Sequence, residues 1–390
     1  MRLIFIISGS IAIKKCKNIL KKLTTNGVYV DCILTKNASK MLRINSLQKD
    51  IKGKIYLDSS ENKKKMLHIT LSRKANLIVV CPATANLIAK FSHGIADDLA
   101  STTLIASNKQ ILFMPAMNVE MWNNKINKRN VLSLQKKGVE FVGPDYGFLS
   151  CGEVGLGRLT SEKKIIEVIL DYLNKSQKLN KIKCLVTAGP TIEPIDAIRF
   201  ISNYSSGKQG YEIARQLMLA GANVSLISGP TNLPAPTNVK LIKVKTAEEM
   251  NKKVLNHKYT DVAIFTAAVS DVSAIKKIKS KIKKEKLNKI LLKKNPDIIS
   301  NFTSKKINHS VLVIGFAAET NNHIKNAKIK LKHKNCDYIV VNKISKNNRI
   351  FNSDYNKIDI ISKNKIQNFK KNTKINIAKN LVKVIINECI

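Results

Sequence analysis

The sequence predicts an α/β protein made of two doubly wound, Rossmann-like, three-layer domains. Short apolar runs rich in β-branched residues alternate with segments of helical period along the 390 residues, a pattern typical of parallel sheets covered by helices. The alternation stops at a polar, aperiodic stretch and then starts again. We therefore expect one domain at residues 1–174, a linker at 175–182 and a second domain at 183–390.

The elements of the first domain follow in chain order. The opening apolar run is interrupted by Ser8, Gly9 and Ser10, with Lys14 and Lys15 soon after. Because no small-residue cleavage site follows, this run indicates a buried strand rather than a signal sequence. Strands are predicted at residues 3–7, 29–34, 77–81, 110–114 and 140–142, and helices at residues 15–25 and 161–173.

The second domain repeats the alternation without a short-period repeat of the solenoid kind. Strands are predicted at residues 183–187, 223–228, 240–244, 262–266, 311–316 and 338–341, and helices at residues 210–219, 247–256, 322–332 and 374–387.

The formal net charge of +41 at pH 7 is the extreme value of the composition. It is compatible with nucleic-acid binding, with attraction of small polyanions, or with a general drift toward Lys, Asn and Ile. We favour drift, with anion attraction as a by-product, because the lysines are spread over both halves. Aromatic residues make up only 5% of the chain, which disfavours a base-stacking surface and a nucleic-acid partner.

The cysteines and the apolar segments bear on location. Seven cysteines are scattered without a C-x-x-C pair, which suits a reducing cytoplasm better than a disulfide framework or a zinc site. No segment approaches the ~20 apolar residues needed to cross a membrane. We expect a cytoplasmic protein without a membrane partner.

Clusters of small and polar residues follow several predicted strands, at residues 8–10, 82–86, 115–118, 188–191, 228–230 and 267–268. In open α/β sheets, ligands bind beyond the carboxyl ends of the strands. One such cluster is usually an ordinary turn, but six in one chain point to anion-binding loops.

Two residue types in the first half could carry chemistry. His68 and Cys151 are single residues of kinds that are more often structural than catalytic. Cys151, however, precedes glycines at positions 152, 155 and 157, which predict a mobile, sharply turning loop that could bring the thiol onto a substrate.

With these features in order, the first half resembles the homo-oligomeric flavin-containing cysteine decarboxylases, a family with a flavodoxin-like fold. The resemblance rests on the turn at residues 9–11, on His68, on the P-A-T-A-N and P-A-M-N motifs at residues 82–86 and 115–118, and on the Cys151 loop. It implies a phosphopantothenoylcysteine decarboxylase in which FMN converts a C-terminal cysteine to a thioaldehyde that loses CO2 readily. The implied FMN-binding residues are Gly9, Ser10, Thr84, Asn86 and Ser101.

The same resemblance assigns three catalytic residues. His68 would act as an acid–base catalyst near the reacting cysteine. Asn118 would hold the substrate carboxylate, and Cys151 would protonate the enethiolate intermediate as the reduced flavin returns its hydride.

The second half contains a Ser/Gly-rich loop at residues 198–210 that opens a helix. Its spacing fits neither a P-loop nor a dinucleotide fingerprint, so alone it indicates a phosphate or carboxylate site, or merely a helix-capping turn. Together with the segments at residues 187–191, 267–271, 281–284, 294–298, 315–320 and 351–356, it resembles the phosphopantothenate–cysteine ligases, with a ribokinase/Rossmann-like fold, over the whole second half.

This resemblance implies a two-step synthesis of an amide. The carboxylate of 4′-phosphopantothenate attacks CTP to give an acyl-cytidylate, and cysteine then attacks the activated carbonyl, with Mg²⁺ screening the triphosphate. Asn203 and Arg199 would hold the acyl-cytidylate, and Lys281 would support the second step. The implied CTP-binding residues are Phe265, Thr266, Ala267, Asp271, Lys281, Pro296, Asp297, Ile298, Ile299, Phe316, Lys330 and Lys334.

The two implied activities are consecutive, since the ligase product is the decarboxylase substrate, and the final product is 4′-phosphopantetheine. The decarboxylase family further implies a homo-oligomer, which we expect to assemble through both domains. Three alternatives remain: a regulator that kept the fold and lost catalysis, a charge-driven nucleic-acid-binding protein, and a flavin decarboxylase acting on a peptide C-terminus. The attached ligase half argues against the last, and a yellow flavin spectrum would argue against the second.

Overall fold

The computed structural model describes residues 1–60, 66–257, 259–276, 278–283, 289–304, 311–343 and 353–390. The chain forms two compact units, Met1–Lys175 and Ser176–Ile390. Two predicted segments fall partly outside the described residues, because Lys284, Phe351 and Asn352 are not described. Among the described helices, none is long and apolar enough to span a bilayer.

The first unit contains one six-stranded parallel sheet and one hairpin. Its strands are β1 (Arg2–Ile7), β2 (Tyr29–Leu34), β3 (Ile55–Leu57), β4 (Leu77–Ala83), β5 (Ile111–Pro115), β6 (Glu140–Phe141), β7 (Asp145–Phe148) and β8 (Val154–Arg158). Its α-helices are α1 (Cys16–Thr25), α2 (Lys36–Met41), α3 (Ile44–Gln48), α4 (Leu67–Lys74), α5 (Ala85–His93), α6 (Leu99–Ile105), α7 (Val119–Asn123), α8 (Lys125–Lys136) and α9 (Glu162–Leu173).

The strand order of this sheet is β3-β2-β1-β4-β5-β6. Without the three-residue edge strand β3, the order is that of flavodoxin-like folds, and with it the order is that of the classic dinucleotide-binding fold. The direction of winding changes between β1 and β4, which pair in parallel. Loops at the carboxyl ends of these two strands therefore flank the place where such sheets bind ligands.

The second unit contains an eight-stranded sheet and three two-stranded ribbons. Its strands are β9 (Lys183–Ala188), β10 (Ile192–Pro194), β11 (Phe200–Ser202), β12 (Asn223–Ser228), β13 (Lys240–Lys243), β14 (Val262–Phe265), β15 (Val272–Ala274), β16 (Leu292–Lys294), β17 (Leu312–Glu319), β18 (Tyr338–Lys343), β19 (Tyr355–Asn356), β20 (Ile358–Ser362), β21 (Ile366–Asn368) and β22 (Asn372–Thr373). Its helices are α10 (Lys208–Leu219), α11 (Ala247–Leu255), α12 (Ile298–Ser304), α13 (His323–His333) and α14 (Lys374–Cys389).

The large sheet has the order β13-β12-β9-β14-β17-β18-β20-β21. Strands from β13 to β18 are parallel, and the last two pair antiparallel at the edge. The core strands are buried on both faces: Leu185 and Val186 are neighbours in β9, point to opposite faces of the sheet, and are 1% and 0% exposed. The winding changes between β9 and β14, so this is where a ligand is expected.

The predicted strands and helices of both halves are confirmed, mostly with bounds within one or two residues. β17 extends three residues beyond its predicted end, to Glu319, and two predicted turns begin inside strands. Pro82 and Ala83 belong to β4, and Pro115 belongs to β5. A proline can occupy the end of a strand because the ladder no longer needs its missing N–H there.

The prediction of a loop that extends from Cys151 through Gly157 was wrong, and the mobility of this segment stays a prediction. Gly155 and Gly157 lie in β8, which pairs with β7 to form an antiparallel hairpin. Glycine is required here by close approach, because a Cβ atom on Gly157 would lie 2.2 Å from the carbonyl oxygen of Met117. Only Gly152 acts as a turn glycine, with φ of +89°.

Candidate active sites

The carboxyl ends of β1, β4 and β5 meet in the first unit through hydroxyl hydrogen bonds. The Ser8 hydroxyl donates to the carbonyl oxygen of Pro82 at 2.6 Å and accepts from the backbone N–H of Thr84 at 3.1 Å. The Ser10 hydroxyl donates to the carbonyl oxygen of Ala116 at 3.4 Å. The structure therefore brings together three of the predicted clusters.

The predicted flavin-binding residues are placed unequally around these turns. Thr84 is the N-cap residue of α5, and no side chain caps this end of the helix. Gly9, Ser10 and Thr84 are partly exposed, and Asn86 is exposed. The backbone N–H groups at the start of α5 and these polar side chains could hold a phosphate.

Ser101 is placed differently from the other predicted flavin-binding residues. It is fully buried, and its hydroxyl lies in a capping box with Asp98 at the start of α6, 2.9 Å from a carboxylate oxygen. Asp98 also pairs with Lys90 at 2.7 Å. The hydroxyl of Ser101 is thus engaged in fixing the helix start, and the structure does not present it to a ligand.

The hairpin of β7 and β8 docks on the residues that follow β5. The N–H of Met117 donates to the carbonyl oxygen of Gly157 at 3.0 Å, and that of Val119 donates to the Glu153 carboxylate at 3.1 Å. Asn118 lies between them as the N-cap of α7, accepting from the N–H of Met121 at 2.8 Å. Cys151 is exposed in the connection between the two strands.

His68 occupies the first turn of α4 and is partly buried. The N–H groups of the residues on either side of Asn118 bond to the hairpin that carries Cys151. That His68, Asn118 and Cys151 act on one substrate stays a prediction.

The second unit contains a cavity of about 540 Å³ at the change of winding between β9 and β14. Its walls come from the loop before α10 and from the ends of β14 and β17. The residues before α12, the side chains of α13 and the start of α14 complete it. The predicted residues that line it are Asn203, Phe265, Thr266, Ala267, Asp271, Pro296, Asp297, Ile298, Ile299, Phe316, Lys330 and Lys334.

Close packing fixes the floor of this cavity. The Thr266 hydroxyl donates to the carbonyl oxygen of Thr187 at 2.6 Å, which ties β14 to β9. α10 passes directly over this pair, because a Cβ atom on Gly210 would lie 2.4 Å from the Thr266 hydroxyl. Gly207, with φ of +73°, precedes the helix, and no side chain caps the helix start. Glycines at 207 and 210 therefore let the N-terminus of α10 approach the strand ends.

Amide side chains hold the loops around the mouth of the cavity. The Nδ2 atom of Asn203 donates to the carbonyl oxygen of Val269 at 2.9 Å. The Nδ2 atom of Asn295 donates to the carbonyl oxygen of Ser270 at 2.8 Å. These bonds link segments that are 66 and 25 residues apart, so the mouth is shaped by contacts far apart in sequence.

Two of the lysines that line the cavity form ion pairs with acidic residues. Lys330 pairs with Glu319 at 2.6 Å, and Lys334 pairs with Asp297 at 3.5 Å. Burial alone would raise the pKa of Asp297. The N–H of Ser300 and the ammonium group of Lys334 outweigh burial, so the pKa of this carboxyl lies below its usual value. Asp297 is therefore ionised at neutral pH and keeps Lys334 at the cavity wall.

Comparisons with known proteins agree with both halves of the chain. A model of the Flavoprotein family matches residues 1–174, and a model of the DNA/pantothenate metabolism flavoprotein C-terminal domain matches residues 179–389. The "Coenzyme A biosynthesis bifunctional protein CoaBC" of Borreliella burgdorferi is 40% identical over 388 residues, covering 97% of both chains. The protein of that name from Haemophilus influenzae is 38% identical, covering 97% of this chain and 96% of its own.

This chain belongs to the family of bifunctional coenzyme A biosynthesis proteins. Among solved structures, a crystal structure of the C-terminal domain of such a CoaBC protein is 35% identical to this chain, with a TM-score of 0.47, covering 54% of this chain and 97% of its own. Family membership confirms the predicted bifunctional enzyme with a flavoprotein decarboxylase half and a ligase half. It also confirms the predicted α/β class.

Two residues predicted for the ligase site of this family member do not line the cavity. Arg199 donates to the carboxylate of Asp196 at 3.1 Å and to the carbonyl oxygen of Ile282 at 3.3 Å. Lys281 is exposed beside Ile282, whose N–H also bonds to Asp196 at 3.2 Å. Arg199 and the segment that carries Lys281 are thus joined through Asp196, and neither residue is among those that line the cavity.

The sequence analysis assigned no role to several polar residues that line the same cavity. Lys208 and Asn356 lie within the predicted site segments 198–210 and 351–356, whereas Asn342 and Lys374 lie outside all of them. Lys374 is 6% exposed, and burial lowers its pKa to about 8. The sequence offered one signal for Lys374. A helix is predicted to start at this residue, and the N-terminus of a helix often binds an anion. What the sequence could not indicate is that two helices begin at one cavity.

Proposed function

We propose that the second unit joins 4′-phosphopantothenate to cysteine with CTP, and that the first unit decarboxylates the product with FMN. The observation that carries the proposal is the cavity of about 540 Å³, which gathers eleven of the twelve residues expected to bind CTP. Its volume is within the range of small-molecule sites. The cavity lies at the change of winding, where nucleotides bind in such sheets.

The ligation proceeds in two displacements. A carboxylate oxygen of 4′-phosphopantothenate bonds to the α-phosphorus of CTP while the bond to the β-phosphate oxygen breaks, and pyrophosphate takes the electron pair. The amine of cysteine then bonds to the activated carbonyl carbon, the amine loses a proton, and cytidine monophosphate leaves. Asn203 would hold the acyl-cytidylate, because it lies at the mouth of the cavity.

Arg199 and Lys281 would act from outside the cavity wall. Arg199 bonds to the carboxylate of Asp196, and Lys281 directly precedes Ile282, whose N–H bonds to the same carboxylate. The ammonium group of Lys281 would stabilise negative charge that develops on the carbonyl oxygen during the attack of cysteine. We propose that bound substrate extends from the cavity to these residues, so that the second displacement takes place beside Lys281.

Mg²⁺ would be bound chiefly by the triphosphate. Among the described residues there is no group of three or more His, Cys, Asp or Glu that could cage a metal. Asp271 and Asp297 line the cavity and offer carboxylate oxygens, which are donors that Mg²⁺ accepts. One or two carboxylates together with phosphate oxygens are its usual set in nucleotide sites.

The turns of the first unit fit FMN. The start of α5, which no side chain caps, offers backbone N–H groups to a phosphate, and Gly9, Ser10 and Asn86 lie on the adjoining turns. FMN, when bound, would supply the redox chemistry by taking a hydride from the cysteine moiety and returning it. Ser101 would contribute only by fixing the start of α6.

The remaining roles belong to side chains of this chain. Asn118 would hold the substrate carboxylate, because its amide nitrogen is not used by its cap bond to Met121. As CO2 leaves, the electron pair of the broken C–C bond forms a C=C bond and the C=S electrons pass to sulfur, which gives an enethiolate. The thiol of Cys151 would donate a proton to the carbon that lost CO2, and the returned hydride on the sulfur-bearing carbon would complete the saturated product. His68 would exchange a proton with the reacting cysteine.

We further propose a cytosolic homo-oligomer. On the hairpin, Tyr146, Phe148 and Val154 are 66%, 69% and 57% exposed, and Leu156 pairs opposite Tyr146. Large apolar residues grouped on one exposed element are typical of a protein–protein interface. We propose that this hairpin contacts a second copy of the chain. The cytosolic location is supported by the seven free cysteines, which suit a reducing compartment. Light scattering of the purified chain tests whether it forms a homo-oligomer.

The decisive experiment supplies the full chain with 4′-phosphopantothenate, cysteine, Mg²⁺ and either CTP or ATP. The expected result is 4′-phosphopantetheine and CO2 with CTP, from protein that shows a yellow flavin spectrum. Pyrophosphate release without amide formation, or colourless protein that binds nucleic acid in a strongly salt-sensitive manner, would overturn the proposal.

A further inference from the structure

Two helices of the second unit begin side by side at the cavity. α10 begins at Lys208 and α14 begins at Lys374, and both lysines line the cavity. The Nε2 atom of Gln209 donates to the main-chain oxygen of Lys374 at 3.2 Å, which holds the two helix starts together. The positive ends of two helix dipoles and two ammonium groups therefore face the same corner.

The two lysines at this corner differ in their surroundings. Lys208 pairs with the exposed side chain of Asp354 at 2.7 Å. Lys374 is 6% exposed. Burial, and then the charge of Lys208, lower its pKa to about 8, whereas Asp354 acts in the opposite direction. Lys374 lines the cavity, where a bound anion would favour its charged form.

The cavity also has an apolar lining. Phe265, Phe316, Ile298 and Ile299, from β14, β17 and α12, contribute to it. Apolar and aromatic side chains suit a nucleoside, whereas two helix starts with two lysines suit phosphate oxygens. The cavity therefore offers surfaces for both parts of a nucleotide.

We propose that Lys374, together with Lys208, binds the two terminal phosphates of the nucleotide, which leave as pyrophosphate. This inference rests on the proposed function, and it adds a subsite formed by the starts of α10 and α14. Negative charge accumulates on the leaving pyrophosphate as the bond to the α-phosphorus breaks. Two ammonium groups at that end stabilise it where the charge develops.

The test compares ligands that differ only in the terminal phosphates. Binding of CTP, cytidine monophosphate and inorganic pyrophosphate to the full chain is measured by calorimetry for the wild type, Lys374→Met and Lys374→Arg. Lys374→Met should weaken CTP and pyrophosphate about tenfold or more, the value of a charge-assisted contact, and change the monophosphate little. Lys374→Arg should restore part of the loss.

The buried position of Lys374 gives a second readout. A bound anion favours its protonated form, so CTP binding should take up a proton once the pH exceeds about 8, the value at which the free group titrates. Below that pH the lysine already carries its proton, and uptake should vanish. Calorimetry in two buffers of different ionisation enthalpy measures the uptake, which Lys374→Met should abolish.

Lys371→Met is the matched control, because Lys371 is exposed and lies three residues earlier in the same segment. This variant should bind all three ligands as the wild type does. Circular dichroism verifies that Lys374→Met folds, and Lys208→Met provides a second variant at the same corner. Equal weakening of CTP and the monophosphate, or unchanged pyrophosphate binding in both variants, would overturn the subsite. A wild-type chain that binds pyrophosphate but not CTP would instead contradict the proposed function.

Discussion

The backbone N–H of Met117 donates to the carbonyl oxygen of Gly157 across 3.0 Å, and this bond fastens the hairpin of β7 and β8 to the end of β5. Asn118 follows Met117 directly, and Cys151 lies in the turn of the hairpin. The residue expected to hold the substrate and the residue expected to protonate it are thus on two segments joined by one close backbone approach. That approach can be tested.

Gly157→Ala should displace the hairpin, because the added Cβ atom would lie 2.2 Å from the Met117 carbonyl oxygen. A misplacement near 1 Å at a catalytic group costs about a hundredfold in rate. We expect a decarboxylation loss of that order with unchanged ligation, measured by CO2 and amide formation separately. Gly152→Ala is the control: nothing lies within 4 Å of its Cβ position, so only the strain of its positive φ is added. Equal loss in both variants would contradict the role of the close approach.

Cys151→Ser should keep the flavin spectrum and stop release of the reduced product. Cys151 is exposed in the turn of the hairpin, so the substitution removes an acidic proton without disturbing a core. Loss of a general acid lowers rates by about a hundredfold or more. Product release is followed by chromatography, and Cys389→Ser, in the last turn of α14, serves as control. Full activity of Cys151→Ser would remove this thiol from the mechanism.

The sequence predicted the helices and strands of this chain better than it predicted which of them come into contact. Local pattern sufficed for β1 or β4, because a buried parallel strand is a continuous apolar run. The hairpin was missed because Gly155 and Gly157 reflect close approach to Val119 and Met117, and such contacts do not show in local periodicity. Lys374 was missed for the same reason, since its burial depends on α10, which lies far away in the sequence.

Lys281→Gln should block amide formation while acyl-cytidylate accumulates. The side chain lies outside the cavity that is expected to hold CTP, so the first displacement should proceed without it. Pyrophosphate release measures the first step and amide product measures the second. Lys283→Gln is a matched control, because Lys283 is exposed two residues away and should support both steps. Loss of pyrophosphate release in Lys281→Gln would place this lysine in CTP binding instead.

Asp196→Asn should release the segment that carries Lys281. The carboxylate of Asp196 accepts hydrogen bonds from the N–H groups of Ile198, Arg199 and Ile282. The N–H of Ile198 is the largest cause of its lowered pKa, and those of Arg199 and Ile282 act in the same direction. An uncharged amide accepts these bonds more weakly. We therefore expect amide formation to fall more than pyrophosphate release.

The same substitution has a pH signature in stability. Because folding lowers the pKa of Asp196 below its usual 3.8, its carboxylate stabilises the native chain fully above that value. The stabilisation is lost as the pH falls through the lower native pKa, where both states bind the proton. Wild type and Asp196→Asn should thus differ in Tm at neutral pH and converge in acid. A Tm difference for Asp196→Asn that persists unchanged in acid would show that its carboxylate is not the anchor of this segment.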